Sequence, residues 1–335
     1  MNNFIELNEI KKARKTLEKV VLESPFQKIK SYSKNYNSNI FFKREDLQKV
    51  RSFKIRGAFN KISSLNKSQV INGIVCASAG NHAQGFAVSC STLGYKGKVF
   101  MPITTPDQKI QQVKKFGKTN VDIILYGENF TQAYEKALEE CDKNNKTFIH
   151  PFDDVKVITG QATLFLEIIN QFDGKLDYLF IPIGGGGLIS GAINVFKQLS
   201  PKTKIIGIEP KGAPSMAQSI KKNKLVTLAK IDGFADGVAV KKVGNYSFNY
   251  CKQYLDDLII LDENEICSSI LELKDFENIT AEPAGAMSSA SLRHYREKII
   301  NKNVGCIICG GNNDNKRMPE ITRRAKLWQA NNLKD

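Results

Sequence analysis

Short apolar runs alternate with longer segments of helical periodicity along most of this chain, from about residue 70 onward. Four runs come first, at residues 73–77, 98–101, 121–125 and 147–149. Four more follow at residues 178–183, 205–208, 258–261 and 304–308. Near-continuous apolar strands separated by helices are typical of parallel sheets covered on both faces, so the pattern predicts an α/β fold.

The two series of runs are separated by a break between His150 and Asp154. This break predicts two α/β units, each with a doubly wound open sheet. The length of 335 residues agrees with two domains or with one large α/β unit. No internal repeat or low-complexity linker interrupts the pattern. Open parallel sheets bind ligands outside the carboxyl ends of their strands, so the turns that follow strands are where chemistry is expected.

The net charge of +15 raises the question of a nucleic-acid partner. The lysines are spread over nearly every segment, and no basic stripe is interleaved with aromatic residues. We therefore interpret the charge as a lysine-rich solvated surface and predict no nucleic-acid partner. No apolar run reaches the roughly 18 to 20 residues that span a bilayer, which predicts no membrane partner.

Cysteine usage and the N-terminal sequence bear on the compartment. The seven cysteines are an odd number and irregularly spaced, which favours reduced thiols over a disulfide framework. The first ten residues lack a basic segment followed by an apolar core, so a secretory signal is not expected. Together these features predict a cytoplasmic location.

The turn at residues 77–85 combines small, hydroxyl and amide side chains at a predicted helix start. Ser78, Gly80 and Asn81 fall where the N–H groups of the first helical turn point outward. Such an N-terminus suits a carboxylate. An ordinary Ser or Asn helix cap is the alternative, and the neighbouring His82 would more often be structural than catalytic.

Four consecutive glycines follow the strand run at residues 178–183 and precede a predicted helix. Glycines allow close backbone approach and positive φ angles, and their amides can surround an anion at a helix N-terminus. No Lys-Ser or Lys-Thr pair follows, so the turn is not a P-loop. Glu209 lies too late in the chain for a dinucleotide fingerprint. The turn therefore predicts a site for one phosphate.

The last strand run continues into a Cys-x-x-Cys segment at residues 306–309, followed by two glycines. This spacing could indicate zinc or redox chemistry, but the chain has no second pair. The favoured interpretation is that Cys309 ends the last strand with its sulfur facing the edge of a ligand. Gly310 and Gly311 would then let the chain turn away.

Lys54 lies between Phe53 and Ile55, after residues 42–46, which we interpret as a short run of charge and turn residues. An amine becomes a nucleophile when burial or a neighbouring cation lowers its pKa, and Arg56 is expected to supply that cation. Taken alone, a surface lysine is the simpler interpretation. A reactive lysine, a single-phosphate site, a carboxylate-binding turn and a small polar group at a strand end together predict a pyridoxal phosphate site.

With these motifs in this order, the sequence resembles the threonine dehydratase branch of the fold-type II (tryptophan synthase β-like) pyridoxal phosphate enzymes. The resemblance extends from about residue 23 to 326 and includes residues 52–58, 78–85, 234–240 and 282–286. It implies a large cofactor-binding domain formed by residues 1–47 and 152–325, and a small domain at 48–151. Residues 326–335 would be a C-terminal tail, with no effector-binding domain.

The resemblance also implies roles for individual residues. Lys54 would form the covalent bond to the cofactor aldehyde and act as the catalytic base, Phe53 would lie against the ring, and Asn81 would bind the 3′-oxygen. The phosphate would be held by Gly184, Gly185, Gly186, Gly187 and Leu188. The substrate carboxylate would be bound by Ser78, Gly80, Asn81 and His82.

Cys309 stands where these enzymes usually carry serine, at the cofactor's ring nitrogen. A neutral thiol or hydroxyl does not keep that nitrogen protonated, which suits β-elimination better than transamination. A thiol also hydrogen-bonds more weakly than a hydroxyl, so a modest effect on the cofactor is expected.

The activity implied by the resemblance is β-elimination of L-threonine, and of L-serine, as the first step of isoleucine biosynthesis. Serine racemase and 3-hydroxyaspartate dehydratase are alternatives within the same family. Racemisation is disfavoured because Ala79 replaces the serine that would act on the opposite cofactor face. Residues 212–215 lack the second carboxylate that racemase-like relatives use beside Glu209, so no divalent metal is expected, and a monovalent cation stays open. A homo-oligomer, dimer or tetramer, is expected from the family.

Overall fold

Two β-sheets form the framework of the chain in a computed structural model that describes residues 4–332. The strands are β1 (Phe26–Lys28), β2 (Asn39–Arg44), β3 (Ile74–Ala77), β4 (Gly97–Met101), β5 (Val121–Leu125), β6 (Thr147–Phe148), β7 (Tyr178–Pro182), β8 (Lys204–Pro210), β9 (Asp257–Leu261) and β10 (Asn303–Ile308).

Helices connect these strands and cover the sheets. They are α1 (Leu7–Leu17), α2 (Lys30–Asn35), α3 (Lys54–Ser63), α4 (Lys67–Val70), α5 (Asn81–Leu93), α6 (Asp107–Gly117), α7 (Phe130–Asn144), α8 (Val155–Gln171), α9 (Gly187–Leu199), α10 (Ser215–Lys221), α11 (Asn245–Tyr254), α12 (Glu263–Glu277), α13 (Pro283–Ala290) and α14 (Met318–Asn332). Short 3₁₀ turns lie at Glu45–Leu47, Ser291–Tyr295 and Asn315–Arg317. None of the helices within residues 4–332 is long and apolar enough to cross a membrane.

The six-stranded sheet has the order β1-β2-β10-β7-β8-β9, and the four-stranded sheet has the order β5-β4-β3-β6. All neighbouring strands are parallel except β1 and β2. Each of the eight predicted apolar runs forms a strand, which confirms the α/β class. The three chemically notable turns begin at the carboxyl ends of β3, β7 and β10.

The sequence interpretation missed strands β1 and β2. Residues 42–46 were expected to be a run of charge and turn residues, but Phe42 and Lys43 lie in β2 and are completely buried. The expectation was wrong because Lys43 forms a buried ion pair with Glu167. The local sequence does not reveal this partner, which is far away along the chain. The predicted domain boundaries, near residues 48 and 151, stay a prediction. Of the predicted tail at 326–335, residues 333–335 lie outside the described part of the chain.

Each sheet has its own apolar core. Around the six-stranded sheet, Ile40, Phe180 and Ile307 are fully buried, and around the four-stranded sheet Ile74 and Val99 are almost fully buried. All seven cysteines are buried and unpaired.

Helix α3 is fixed in place by a buried cluster of ion pairs. The guanidinium of Arg56 donates to both carboxylate oxygens of Glu45 at 2.8 Å, and to those of Glu167 at 2.6 and 2.9 Å. The ammonium of Lys43 donates to the same Glu167 at 2.7 Å and to the Ser24 carbonyl at 2.6 Å. Two cations thus face two carboxylates away from water, and paired bidentate contacts of this kind define orientation strictly.

Replacing Glu167 with alanine removes a shared partner of Arg56 and Lys43. We expect Glu167→Ala to lower the free energy of unfolding by about 3–5 kcal/mol, because it leaves buried positive charge uncompensated. Urea unfolding measures this change. The matched control is Glu320→Ala, which breaks the more exposed Glu320–Arg324 pair and should change stability by less than about 1 kcal/mol. Equal unfolding midpoints for the two variants would contradict the role of the cluster.

Candidate active site

The segment before helix α3 pairs with the segment that follows strand β10. The backbone N–H of Phe53 donates to the Cys309 carbonyl at 3.1 Å, and that of Gly311 donates to the Arg51 carbonyl at 2.8 Å. Ser52 and Gly310 form an antiparallel bridge between these contacts. This short ladder brings the first residue of α3, Lys54, next to the end of the last strand.

The Lys54 side chain is half-buried and lines a cavity. It donates a hydrogen bond to the Pro151 carbonyl at 3.2 Å and lies 5.2 Å from the centroid of the Phe53 ring. Burial lowers the pKa of this amine to about 8, although the nearby Cys309 and Glu282 act in the opposite direction. The predicted contribution of Arg56 is wrong, because that cation is neutralised by its carboxylate partners and burial alone lowers the pKa of Lys54.

The glycine turn between β7 and α9 is confined by its neighbours. A Cβ on Gly184 would lie 2.8 Å from the backbone of Val238, and one on Gly185 would lie 2.2 Å from the Phe152 ring. Gly186 has a φ of +91°, and a Cβ there would lie 2.4 Å from the Cβ of Ser247. Side chains therefore cannot enter here. The first N–H groups of α9 have no partner within the helix, so they are the groups of this turn that can bind an anion.

The turn after β3 leads directly into α5, with Gly80 as the helix N-cap and Asn81 as the first helical residue. The Ser78 hydroxyl accepts a hydrogen bond from the Gly80 N–H at 3.2 Å. The ring Nε2 of His82 lies 3.0 Å from the Ile149 carbonyl, and burial lowers the pKa of His82 to about 3. The His82 ring is therefore neutral and turned into the protein, which leaves its backbone N–H as the group that could face a ligand.

A hydrogen-bonded chain of side chains surrounds Asn81. Its amide Nδ2 donates to Glu282 Oε1 at 2.6 Å, and its Oδ1 accepts from Asn312 Nδ2 at 2.8 Å. Burial raises the pKa of the Glu282 carboxyl to about 7, and the charge of Asp236 acts in the same direction. The sequence interpretation assigned no role to Glu282 or Asn312.

One cavity brings most of the predicted site together. All nine predicted cofactor residues line it, namely Phe53, Lys54, Asn81, Gly184, Gly185, Gly186, Gly187, Leu188 and Cys309. Of the four residues predicted to bind the substrate carboxylate, Asn81 alone is among the lining residues. Ser78, Gly80 and His82 lie in the adjoining turn and at the start of α5.

Further lining residues were missed by the sequence interpretation. They are Phe152, Pro182, Gly237, Val238, Glu282 and Ala284. Phe152 lies in the break between the two series of strands, where only a boundary was expected. Glu282 carries a recognisable signal, since it precedes Pro283 at the first position of α13, but that pattern is also typical of an ordinary helix start.

Two other candidate features have structural partners. The Cys306 thiol contacts the Ser288 carbonyl at 3.7 Å, and Glu209 accepts the backbone N–H groups of Met216 and Ala217 at 2.7 and 2.8 Å. Burial raises the pKa of Glu209 to about 7. Within residues 4–332 no group of three or more His, Cys, Asp or Glu side chains is arranged to hold a metal ion.

Comparison with known proteins connects this geometry to a family. Residues 17–310 match the family described as pyridoxal-phosphate dependent enzyme. The chain is 50% identical over 326 residues to the biosynthetic L-threonine dehydratase IlvA of Halalkalibacterium halodurans, covering 97% of this chain and 79% of that protein. It is 49% identical to the Bacillus subtilis protein of the same name over 329 residues, with 98% and 78% covered.

Solved structures give the same result. Processed threonine deaminase isoform 2 from Solanum lycopersicum has a TM-score of 0.90 at 39% identity, covering 97% of this chain and 90% of that chain. Maize serine racemase has a TM-score of 0.88 at 28% identity, covering 97% and 99%.

A methyl group on Gly185 should damage the glycine turn. We expect Gly185→Ala to displace the Phe152 ring and lower stability by about 1–3 kcal/mol, the usual cost of overpacking, and to weaken phosphate binding. Urea unfolding with and without inorganic phosphate measures both effects. Gly233→Ala is the control, because a Cβ there meets nothing within 4 Å. Unchanged stability and phosphate response in Gly185→Ala would contradict this view of the turn.

Proposed function

The chain belongs to the pyridoxal-phosphate dependent enzyme family, and on this premise we propose that it is an ammonia-lyase acting on L-threonine. The products would be 2-oxobutanoate and ammonia, and L-serine would give pyruvate by the same β-elimination. One observation carries the proposal: the Lys54 amine and the glycine turn at 184–187 line one cavity. This activity is the first step of isoleucine biosynthesis, in agreement with the biosynthetic name of the relatives.

The residues of the cavity fit pyridoxal phosphate. Lys54 supplies an amine of lowered pKa, and the glycine turn lines the same cavity with backbone alone, at positions where a Cβ would collide with neighbouring residues. Asn81 and Cys309 offer polar groups on the cavity wall. When bound, this cofactor supplies an aldehyde that condenses with amines and a ring that withdraws electrons from the α-carbon of the substrate.

Lys54 is the residue we assign to proton transfer. Lys54 would hold the cofactor through its aldehyde, and its Nζ would be the atom that takes the α-hydrogen of the substrate as a proton. A pKa near 8 leaves a useful fraction of the amine neutral at physiological pH, whereas an ordinary lysine would be almost wholly charged. The Pro151 carbonyl accepts from Nζ and holds the amine at the cavity wall.

The substrate carboxylate is assigned to the N-terminus of α5. The N–H groups that follow Ser78, including those of Asn81 and His82, lie at the positive end of the helix dipole. Because the His82 ring is neutral and bonded to Ile149, it adds no charge to this site. Binding there would place the carboxylate beside Asn81, which lines the same cavity as Lys54.

Cys309 is assigned to the ring nitrogen. Burial raises the pKa of its thiol well above the usual value, with the Glu282 carboxyl acting in the same direction, so the thiol is neutral. A neutral partner does not hold a proton on the ring nitrogen, which limits the electron demand of the ring and favours elimination over transamination.

Two alternatives within the family are less well supported. Racemisation requires a proton donor on the opposite face, and Ala79 has no proton to give. Dehydration of 3-hydroxyaspartate requires a partner for a second carboxylate. Among the lining residues of the described chain, Lys54 is the sole cation.

Family membership also carries coarser expectations about the assembled protein. The substrate is a small-molecule amino acid. We propose a dimer or tetramer, a cytoplasmic location, and the division into a large domain (1–47 and 152–325) and a small domain (48–151).

Incubation of the purified chain with pyridoxal phosphate and L-threonine should produce 2-oxobutanoate and ammonia in equal amounts. Lys54→Ala should lower kcat at least about a thousandfold, because it removes both the nucleophile and the base. Lys49→Ala, which changes a nearby exposed lysine, should retain activity. With L-serine we expect pyruvate and no D-serine. Formation of D-serine in excess of pyruvate would contradict the assignment as a lyase.

The lowered pKa of Lys54 predicts how fast the apoprotein captures the cofactor. Because only the neutral amine attacks an aldehyde, the rate should rise with pH and level off above about 8. Stopped-flow absorbance of pyridoxal phosphate mixed with apoprotein measures the rate. A rate that continues to rise up to about pH 10, as for an ordinary lysine, would contradict the burial of this amine.

A further inference from the structure

Glu282 presents a carboxyl group to the cavity from the residue before α13. Its side chain is buried, and its backbone N–H donates to the Gly310 carbonyl at 3.1 Å. A Cβ on Gly310 would lie 2.3 Å from Glu282 Oε1, so glycine at that position is what admits the carboxyl group. A buried carboxyl that lines a cavity invites a functional explanation.

The hydrogen bonds around Asn81 determine which way its amide faces. Ionised Glu282 can only accept, so the Asn81 NH₂ group must lie toward it, at 2.6 Å. Asn312 Nδ2 donates to Asn81 Oδ1 at 2.8 Å and is itself held by the Val50 carbonyl at 2.8 Å. An acceptor on one side and a donor on the other leave a single orientation of the Asn81 amide.

We propose that Glu282 and Asn312 are positioning residues that fix the Asn81 amide so that its second N–H is available to an acceptor oxygen in the cavity. This inference rests on the proposed function, in which that acceptor is the phenolic 3′-oxygen of the cofactor. Neither residue needs to touch the reacting atoms. Their effect is to decide whether Asn81 offers a donor or an acceptor to the ligand.

The same arrangement makes the site sensitive to pH. The charged or titratable groups that act on Glu282 are Asp236, Lys109, Lys54 and Cys309. Burial and Asp236 raise the pKa of Glu282 to about 7, while Asn81 and Lys109 act in the opposite direction. As the pH falls through 7, Glu282 gains a proton, and the Asn81 NH₂ group loses the ionised acceptor that it faces, while Asn312 still donates to Asn81 Oδ1.

The first test is a pH titration of the absorption band of the Lys54-bound cofactor, near 410 nm, in the holoenzyme. We expect a transition with a midpoint near 7 in the wild type and its loss in Glu282→Gln, which keeps an acceptor oxygen but cannot titrate. Glu209→Gln is the matched control. Glu209 is another buried carboxyl whose pKa is raised to about 7, but it accepts hydrogen bonds from the backbone N–H groups of Met216 and Ala217 instead of from Asn81. The wild-type transition should persist in that variant.

The second test reverses the donor on the other side of Asn81. Asn312→Asp places an acceptor against Asn81 Oδ1, so Asn81 would face acceptors on both sides and its amide would no longer be held in one orientation. We expect kcat to fall about tenfold, which is the change expected from losing one hydrogen bond, and we expect the cofactor band to shift. Asn315→Asp makes the same change of charge at an exposed position and should leave both quantities unchanged.

The outcomes separate this inference from the proposed function. If borohydride reduction of the wild type fixes no cofactor at Lys54, the proposed function fails. If the cofactor is fixed there but Glu282→Gln keeps the spectral transition near pH 7, the positioning role of Glu282 is overturned. If Asn312→Asp keeps the wild-type band and kcat, the role of Asn312 is overturned.

Discussion

The site depends on the buried contacts of Arg56 with Glu45 and Glu167. These three residues come from α3, from the turn that follows β2 and from α8, so their ion pairs join separate parts of the chain. A charge in a medium of low permittivity is stable only with its partners in correct geometry, so the contacts tolerate little rotation of α3. Lys54 is two residues from Arg56 on the same helix. The cluster therefore decides where the lysine points without contacting the cavity.

The two cations at the start of α3 show how differently one helix can treat like charges. Burial acts to lower the pKa of both. For Arg56 the two carboxylates outweigh burial and hold the pKa above its usual value. Lys54 has a carbonyl as its hydrogen-bond partner, and burial prevails, so its pKa falls to about 8. Arg56 therefore stays charged in its ion pairs, whereas Lys54 can lose its proton and react as a neutral amine.

Close backbone contact is the second constraint, and it explains where glycine occurs. A Cβ on Gly160 would lie 2.5 Å from the Arg56 carbonyl, and one on Gly85 would lie 3.1 Å from the Lys54 carbonyl. Helices α8 and α5 can therefore pack directly against the backbone of α3. The same principle at Gly185 and Gly310 shapes the cavity, where Phe152 and Glu282 occupy the space that side chains would need. In both the helix packing and the cavity, glycine therefore occurs where two segments approach too closely for a Cβ.

The sequence by itself determined the alternation of strands and helices, the glycine turn, and the residues at the strand ends, because these depend on periodicity and on local backbone preferences. Phe53, Lys54, Asn81 and Cys309 were predicted from their motifs and from the family that those motifs resemble, and all four line one cavity. The tertiary structure decided which groups surround them. Glu282 and Asn312 are 201 and 231 residues from Asn81. The predicted electrostatic role of Arg56 was wrong for the same reason. The pKa of a group and the direction of an amide depend on the few atoms within hydrogen-bonding distance and on the exclusion of water. Folding alone brings those atoms together.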